Sequence, residues 1–205
     1  MKSMNTFFLI WILCLNTVVG DHFRGGIISW RPLDPSTNAT TVQVLIYQRY
    51  FWDRLWGSFA IRCTEANVLA KTSIPVSDYV KCFQNCSGSG FTNTSVSTVL
   101  TTTDCDPNAL IRSWSGEKYT TVSLSRTASI TIGYYSNAWF VTNLYKASGA
   151  YWTLANRINL AKRPDGFINT SPVTATLPAL FKPVNQQLVH VVQVEIIPQN
   201  IRIYS

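Results

Sequence analysis

Apolar and polar residues alternate with a period of two through most of this chain, and that pattern leaves little room for any architecture but β-sheet. In TVQVLIYQRYFW, Val42, Val44 and Ile46 alternate with Gln43, Leu45 and Tyr47. The second set is apolar enough to predict cover on both faces. SITIGYY puts Ile130, Ile132 and Tyr134 on one face, and WTLANRINL sets Trp152, Leu154, Ile158 and Leu160 opposite Thr153, Arg157 and Asn159. LVHVVQVEII continues the theme. β-Branched and aromatic residues in this arrangement fill a pleated surface. Turn chemistry punctuates the runs at LDPSTNAT (33–40), NCSGSG (85–90), TDCDPN (103–108) and RPDG (163–166), where Pro164 presets the first central φ of a turn. The expected fold is all-β: an antiparallel β-sandwich of short strands, without a long amphipathic helix, a repeat or a linker. TNTSVSTVLTTTD reads as a polar-faced strand or loop, with O-glycan attachment as the alternative.

Ahead of the alternating region, Lys2 precedes the apolar run FFLIWILCL, and Val18 and Gly20 are small residues at −3 and −1 of a cleavage site. This predicts a secretory signal peptide over 1–20, with an uncleaved signal anchor as the alternative. No later stretch approaches the roughly 18 apolar residues of a spanning helix. The expected domain layout is therefore a signal peptide and one β-sandwich domain over 21–205, whose last ten or so residues would begin a truncated further module. The net charge of +7 falls to +6 without Lys2. Its basic residues are scattered singly, which suits a solvated surface better than an acidic partner, and export disfavours nucleic acid.

Cys14 belongs to the signal segment, leaving Cys63, Cys82, Cys86 and Cys105. Four cysteines in an exported chain predict two disulfides, with three connectivities open. A metal reading is weak, because Cys82 and Cys86 lack a second closely spaced Cys or His pair. All four lie between 63 and 105, so they staple the middle of the domain rather than its ends. Asn38, Asn85, Asn93 and Asn169 each open an N-glycosylation sequon. Asn85 abuts Cys86 and Pro172 follows the last sequon, so Asn38 and Asn93 most directly predict exposed loops.

Chemistry is sparse. His22 and His190 fit no HExxH, nucleophile-elbow or similar setting. Asp104 and Asp106 flank Cys105 and would offer two oxygens to calcium, an incomplete set, so a solvated turn is the better reading. No cofactor is implied. The cluster Tyr50, Phe51, Trp52, Trp56 and Phe59 reads first as packing between sheets. Consecutive aromatics at 50–52 cannot all share one face of a strand, so Tyr50, Trp52 and Trp56 are the candidate ligand-binding aromatics.

The stretch DHFRGGIISWRP concentrates reactive-looking side chains directly after the signal segment. Its glycine pair precedes a strand instead of joining a strand to a helix, which argues against a phosphate loop. Gly25 and Gly26 are expected to bend or bulge the chain at its entry to the sheet, Trp30 to pack, and Pro32 to end the strand. HFRGGIISWRP, VQVLIYQRYFWDR and WTLANRINLAKRPDGFINTSPVTATLPAL together resemble the N-terminal domain of large extracellular invertebrate proteins with integrin-β-like, von Willebrand factor type A or EGF-like modules. The resemblance spans most of 21–195 and is firmest at its two ends. His22, Phe23, Arg24, Gly25, Trp30, Arg31 and Pro32 match the opening; Asn169, Ser171, Pro172, Val173 and Thr174 match the later motif. Where relatives often carry Cys-Cys-Trp, this chain has Asn137 and Ala138 before Trp139, so one disulfide of that pattern is absent.

These readings lead to a secreted, N-glycosylated, non-catalytic module for extracellular adhesion or recognition, partnered by a protein or glycan. A lectin-like module using exposed aromatics is the second reading. The third, from another class, is a secreted hydrolase in which two of Asp34, Asp53, Glu65, Asp78, Asp104, Asp106, Glu117, Asp165 and Glu195 converge in a pocket.

Overall fold

A computed structural model describes residues 23–54, 63–74, 76–108, 111–137 and 150–175, together with 185, 187 and 193–195; of 173–175 and 193–195 it describes the backbone alone. The signal segment, His22, Trp56, Phe59 and His190 lie outside the described residues.

The strands are β1 (Phe23–Pro32), β2 (Thr41–Asp53), β3 (Lys81–Gln84), β4 (Thr101–Cys105), β5 (Ser113–Ser125), β6 (Ser129–Ser136), β7 (Trp152–Asn159), β8 (Val173–Ala175) and β9 (Gln193–Glu195). Among the described residues one short helix, α1 (Glu65–Leu69), starts at Thr64, whose backbone N–H donates to Asn67 Oδ1 at 2.8 Å. Every ladder is antiparallel. β1-β2-β5-β4 form one sheet, β3-β6-β7 a second, and β8-β9 a two-stranded ribbon. Taken as seven strands A to G, this is ABED against CFG, the order of the constant-type immunoglobulin sandwich. In place of the antibody disulfide between the second and sixth strands, rings join β2 to β6: Tyr50 and Tyr134 lie 5.4 Å apart.

The longest strands among the described residues form the centre of the larger sheet. β2 and β5 pair over thirteen residues, from Thr41 with Ser125 to Asp53 with Ser113. Val42, Val44 and Ile46 from β2 and Val122 and Leu124 from β5 face inward. They meet Ile130, Ile132 and Ile158 of the smaller sheet in one continuous core. Burying each such aliphatic side chain stabilises the fold by about 1.5–3 kcal/mol.

At the entry, the ladder shifts register between Phe23 and Gly25, and Gly25 adopts φ 128°. A Cβ on Gly26 would stand 2.5 Å from Tyr50 and 2.8 Å from the Arg49 carbonyl. The glycine pair therefore makes the bulge expected of it, and Gly26 in addition allows a close approach of β1 to β2. The sheets are sewn together where β1 passes β7. The Trp30 indole N–H donates to the Arg157 carbonyl at 2.8 Å, and Asn156 Nδ2 donates to the Ile28 carbonyl at 2.7 Å.

Two disulfides close the middle region, Cys63–Cys105 and Cys82–Cys86, with Cα atoms 5.6 Å and 5.9 Å apart. This selects one of the three connectivities that spacing leaves open. Their separations of 42 and 4 residues give loop-entropy contributions of about 4 and about 2 kcal/mol.

Candidate functional site

Two of the three aromatics singled out from the sequence are core residues. Tyr50 is fully buried and Trp52 only 5% exposed, so neither offers a face to a ligand. Both point between the sheets, where Phe23 lies edge-on to each and Trp152 stacks on Phe23 at 3.5 Å between centroids. The Tyr50 hydroxyl donates to Gln48 Oε1 at 2.8 Å, and Gln48 Nε2 donates to the Ser97 carbonyl at 3.1 Å. Burial pushes the Tyr50 phenol well above its ordinary pKa and that of Tyr134 up to about 12, so both serve as neutral packing groups. Phe51, pointing the opposite way as alternation requires, is also buried, with the Arg49 guanidinium 5.1 Å from its ring centre. The third candidate, Trp56, lies outside the described residues.

Exposed aromatics gather elsewhere, on the outer face of β3-β6-β7. Ile130, Ile132 and Tyr134 turn inward, so Thr131, Gly133 and Tyr135 face outward. On β3 the register shifts between Cys82 and Gln84, which pair with the consecutive residues Ile132 and Thr131. Phe83 is the extra residue of this bulge, and a bulge re-aims the side chain it carries. Its ring lies across Gly133, where a Cβ would come within 2.3 Å of Phe83 Cε2 and 2.4 Å of the Leu154 carbonyl. Tyr135, 48% exposed, sits 5.9 Å from Phe83, with Lys81 Nζ 4.8 Å from its ring centre. Lys81 also pairs with Asp78 at 3.6 Å. Sequence reasoning missed this site; its one signal was GYY ending a strand whose alternate residues are isoleucines.

The outer face of the larger sheet carries a second pair, Tyr47 and Tyr119, 4.8 Å apart. Beside it, Arg49 and Glu117 form an ion pair at 3.5 Å. Burial raises the Tyr47 pKa, with the Glu117 charge adding to the rise.

The four sequon asparagines are all exposed. Asn38, Asn85 and Asn169 belong to the end of the sandwich that holds the β1–β2 and β5–β6 turns. Lys162 Nζ donates to the Ser36 carbonyl and to Asn38 Oδ1, Asn85 Nδ2 donates to the Ser129 carbonyl, and the Ile168 N–H donates to the Pro35 carbonyl. At the opposite end, buried Asp53 accepts from Arg24 at 2.8 Å and from Arg112 at 2.5 Å. Asn93 lies between, its Oδ1 accepting the Cys82 N–H at 2.9 Å.

The carboxylates are spread over these features. Glu117 pairs with Arg49, Asp78 with Lys81, and Asp165 with Arg163. Asp34 accepts from the N–H and hydroxyl of Ser36, which hold its carboxyl below the ordinary range. Asp106 accepts the Asn108 N–H at 2.8 Å, a turn-forming contact. Among the described residues, no group of three or more His, Cys, Asp or Glu side chains is placed to hold a metal ion. A shallow hollow of about 280 Å³ is lined by Asn85 and residues 87–89 and 127–129, with no carboxylate on its wall.

Fold and surface together define a class: a disulfide-tied antiparallel β-sandwich of constant-type immunoglobulin strand order, with an aromatic face on its smaller sheet. No family model, curated protein or solved structure matches the chain.

Proposed function

We propose that this chain is a secreted, N-glycosylated, non-catalytic module of extracellular adhesion or recognition, and that it binds a protein partner through the outer face of β3-β6-β7. The observation that carries the reading is the cluster of Phe83, Tyr135 and Lys81 over Gly133. Aromatic residues are enriched at protein interfaces because they bring large apolar area at small entropic cost. The N-terminal segment, the sequons, the paired cysteines and the resemblance to extracellular adhesion-type N-terminal domains support export. A lectin-like reading has one observation in its favour: the Phe83 ring lies across the sheet backbone at Gly133, and a flat ring offers the C–H face of a sugar a stacking surface. Several carboxylates named for the hydrolase reading are engaged in separate ion pairs, Glu117 with Arg49, Asp78 with Lys81 and Asp165 with Arg163.

The test measures binding of the secreted, labelled chain to extracellular matrix and to a glycan array. Phe83→Ala with Tyr135→Ala should weaken binding about 30-fold or more, the equivalent of about 2 kcal/mol at an interface hot spot. Tyr119→Ala, on the opposite sheet, should leave it unchanged. Matrix binding indifferent to the double substitution refutes the site. Array signal that depends on Phe83 selects the lectin reading over the protein partner.

A further inference from the structure

The turn after β3 brings a disulfide and a sequon into one small ring. Cys82 and Cys86 are joined across a separation of four residues. Inside the ring lies Asn85, the first residue of Asn85-Cys86-Ser87. Its backbone takes φ 57°, the left-handed region that costs most L-residues energy, and it is the sole sequon asparagine with a positive φ. Its Nδ2 donates to the Ser129 carbonyl at 3.2 Å. The nitrogen that would accept a sugar is therefore turned back onto the start of β6. Asn38 and Asn93 are exposed, lie outside the small ring, and engage their side chains through Oδ1.

We propose that closure of the Cys82–Cys86 ring governs modification of Asn85: a chain that closes the ring first keeps Asn85 bare, and a chain with the ring open accepts a glycan there. The inference rests on the export reading above. Two reactions compete. In glycosyl transfer, Asn85 Nδ2 forms a bond to the sugar C1 of an oligosaccharyl diphosphate donor, the C1–O bond breaks with its electron pair leaving on the diphosphate, and the amide proton passes to a base of the transferase. In ring closure, the two thiols lose two protons and two electrons to a disulfide oxidant of the secretory compartment, which is reduced to its dithiol. The two thiols are four residues apart, so closure needs no distant part of the chain to arrive first. The consequence falls on the aromatic face. Asn85 is two residues from Phe83, so a bare Asn85 leaves that face open, whereas a glycan there stands beside it.

The experiment expresses the full chain in secreting eukaryotic cells. Site occupancy is read by mass spectrometry after enzymatic deglycosylation in heavy-oxygen water, which marks each formerly glycosylated asparagine. Cell-associated and secreted chains are pooled, because transfer precedes export and the readout then survives any folding defect of a variant. In the wild type, Asn38 and Asn93 should be occupied and Asn85 largely bare. Cys82→Ser, which leaves the sequon itself untouched, and Cys82→Ser with Cys86→Ser should both raise Asn85 to the occupancy of Asn38 and Asn93. Equal Asn85 occupancy in the wild type and both variants, with Asn38 and Asn93 occupied, overturns the gate alone. Absence of glycan from every sequon overturns the export reading, and the gate with it.

Discussion

Replacing Trp152 by alanine tests whether the two sheets are held together by the aromatic cluster at the start of β7. The indole is 6% exposed, stacks on Phe23 with an interplanar angle of 11°, and meets Tyr134 edge-on at 4.9 Å and Trp52 at 6.1 Å. A tryptophan buries roughly 150–250 Å², worth about 4–6 kcal/mol at about 25 cal/mol per Å². Large-to-small substitutions of buried aromatics cost about 3–5 kcal/mol, because the site collapses only in part. The expected loss for Trp152→Ala is therefore about 4 kcal/mol. Trp152→Phe separates packing from hydrogen bonding. It keeps a ring on Phe23 and loses the indole N–H that donates to the Asn137 carbonyl at 2.8 Å. Asn137 is exposed, so water takes over that carbonyl, and the loss should be about 1 kcal/mol for the bond beyond the smaller ring. Urea denaturation with disulfides intact, followed by far-ultraviolet circular dichroism, reads both values without relying on the removed fluorophore. In thermal melts, about 4 kcal/mol corresponds to a Tm drop of about 8–16 °C for a domain of this size. A loss below about 1.5 kcal/mol for Trp152→Ala would mean that the ring stack does not join the sheets.

Gly133→Ala should destabilise by about 1–3 kcal/mol, since the new Cβ meets backbone as well as a ring and must move one of them. A melt indistinguishable from wild type would show that Phe83 does not lie across Gly133. Acid should loosen the turns before the core. Ser36 holds the Asp34 carboxyl below its ordinary value of 3.8, and Arg163, then the Phe167 N–H, does the same for Asp165. A carboxylate with a depressed folded-state pKa contributes its stability fully above the unfolded value and loses it as pH falls through the folded one. Protection of the Ser36 and Phe167 amides against hydrogen exchange should therefore fall below pH 3.8, while Ile46 and Leu124 stay protected. Constant protection of the two turn amides over that range would refute the assignment.

Much of the strand framework was legible because its signal is local. Alternation marked β2, β6 and β7, Pro32 marked the end of β1, and Gly25 marked its bulge. RPDG forms the turn its chemistry calls for, with the Gly166 N–H donating to the Arg163 carbonyl at 2.9 Å. β5 escaped notice although it lies at the centre of the larger sheet. Its outward positions from Ser113 to Ser125 are mostly polar, and Gly116 interrupts the inward row. A Cβ there would stand 2.9 Å from the Thr101 carbonyl of β4 and 2.6 Å from Ile74 Cδ1, both on other segments of the chain. The helix α1 was missed for a similar reason: five residues with none buried present no periodic stripe.

The sequence by itself determined the sheet class, the turns at 33–40, 85–90 and 163–166 and the number of cysteines available for pairing, since periodicity, turn chemistry and residue count are properties of the chain read in order; the turn expected at 103–108 is instead strand as far as Cys105, the end of β4. Which aromatic is a wall and which is a surface was decided only by the tertiary structure. Tyr50 and Trp52 vanish into the core because β6 and β7 close over them, and Phe83 emerges because one bulged residue turns it outward over a glycine. The same holds for the cysteines, since Cys63 ahead of α1 meets the end of β4 at Cys105, and Cys82 in β3 meets Cys86 in the turn that follows. Burial depends on what arrives from elsewhere in the chain, and residue order carries no direct record of that arrival.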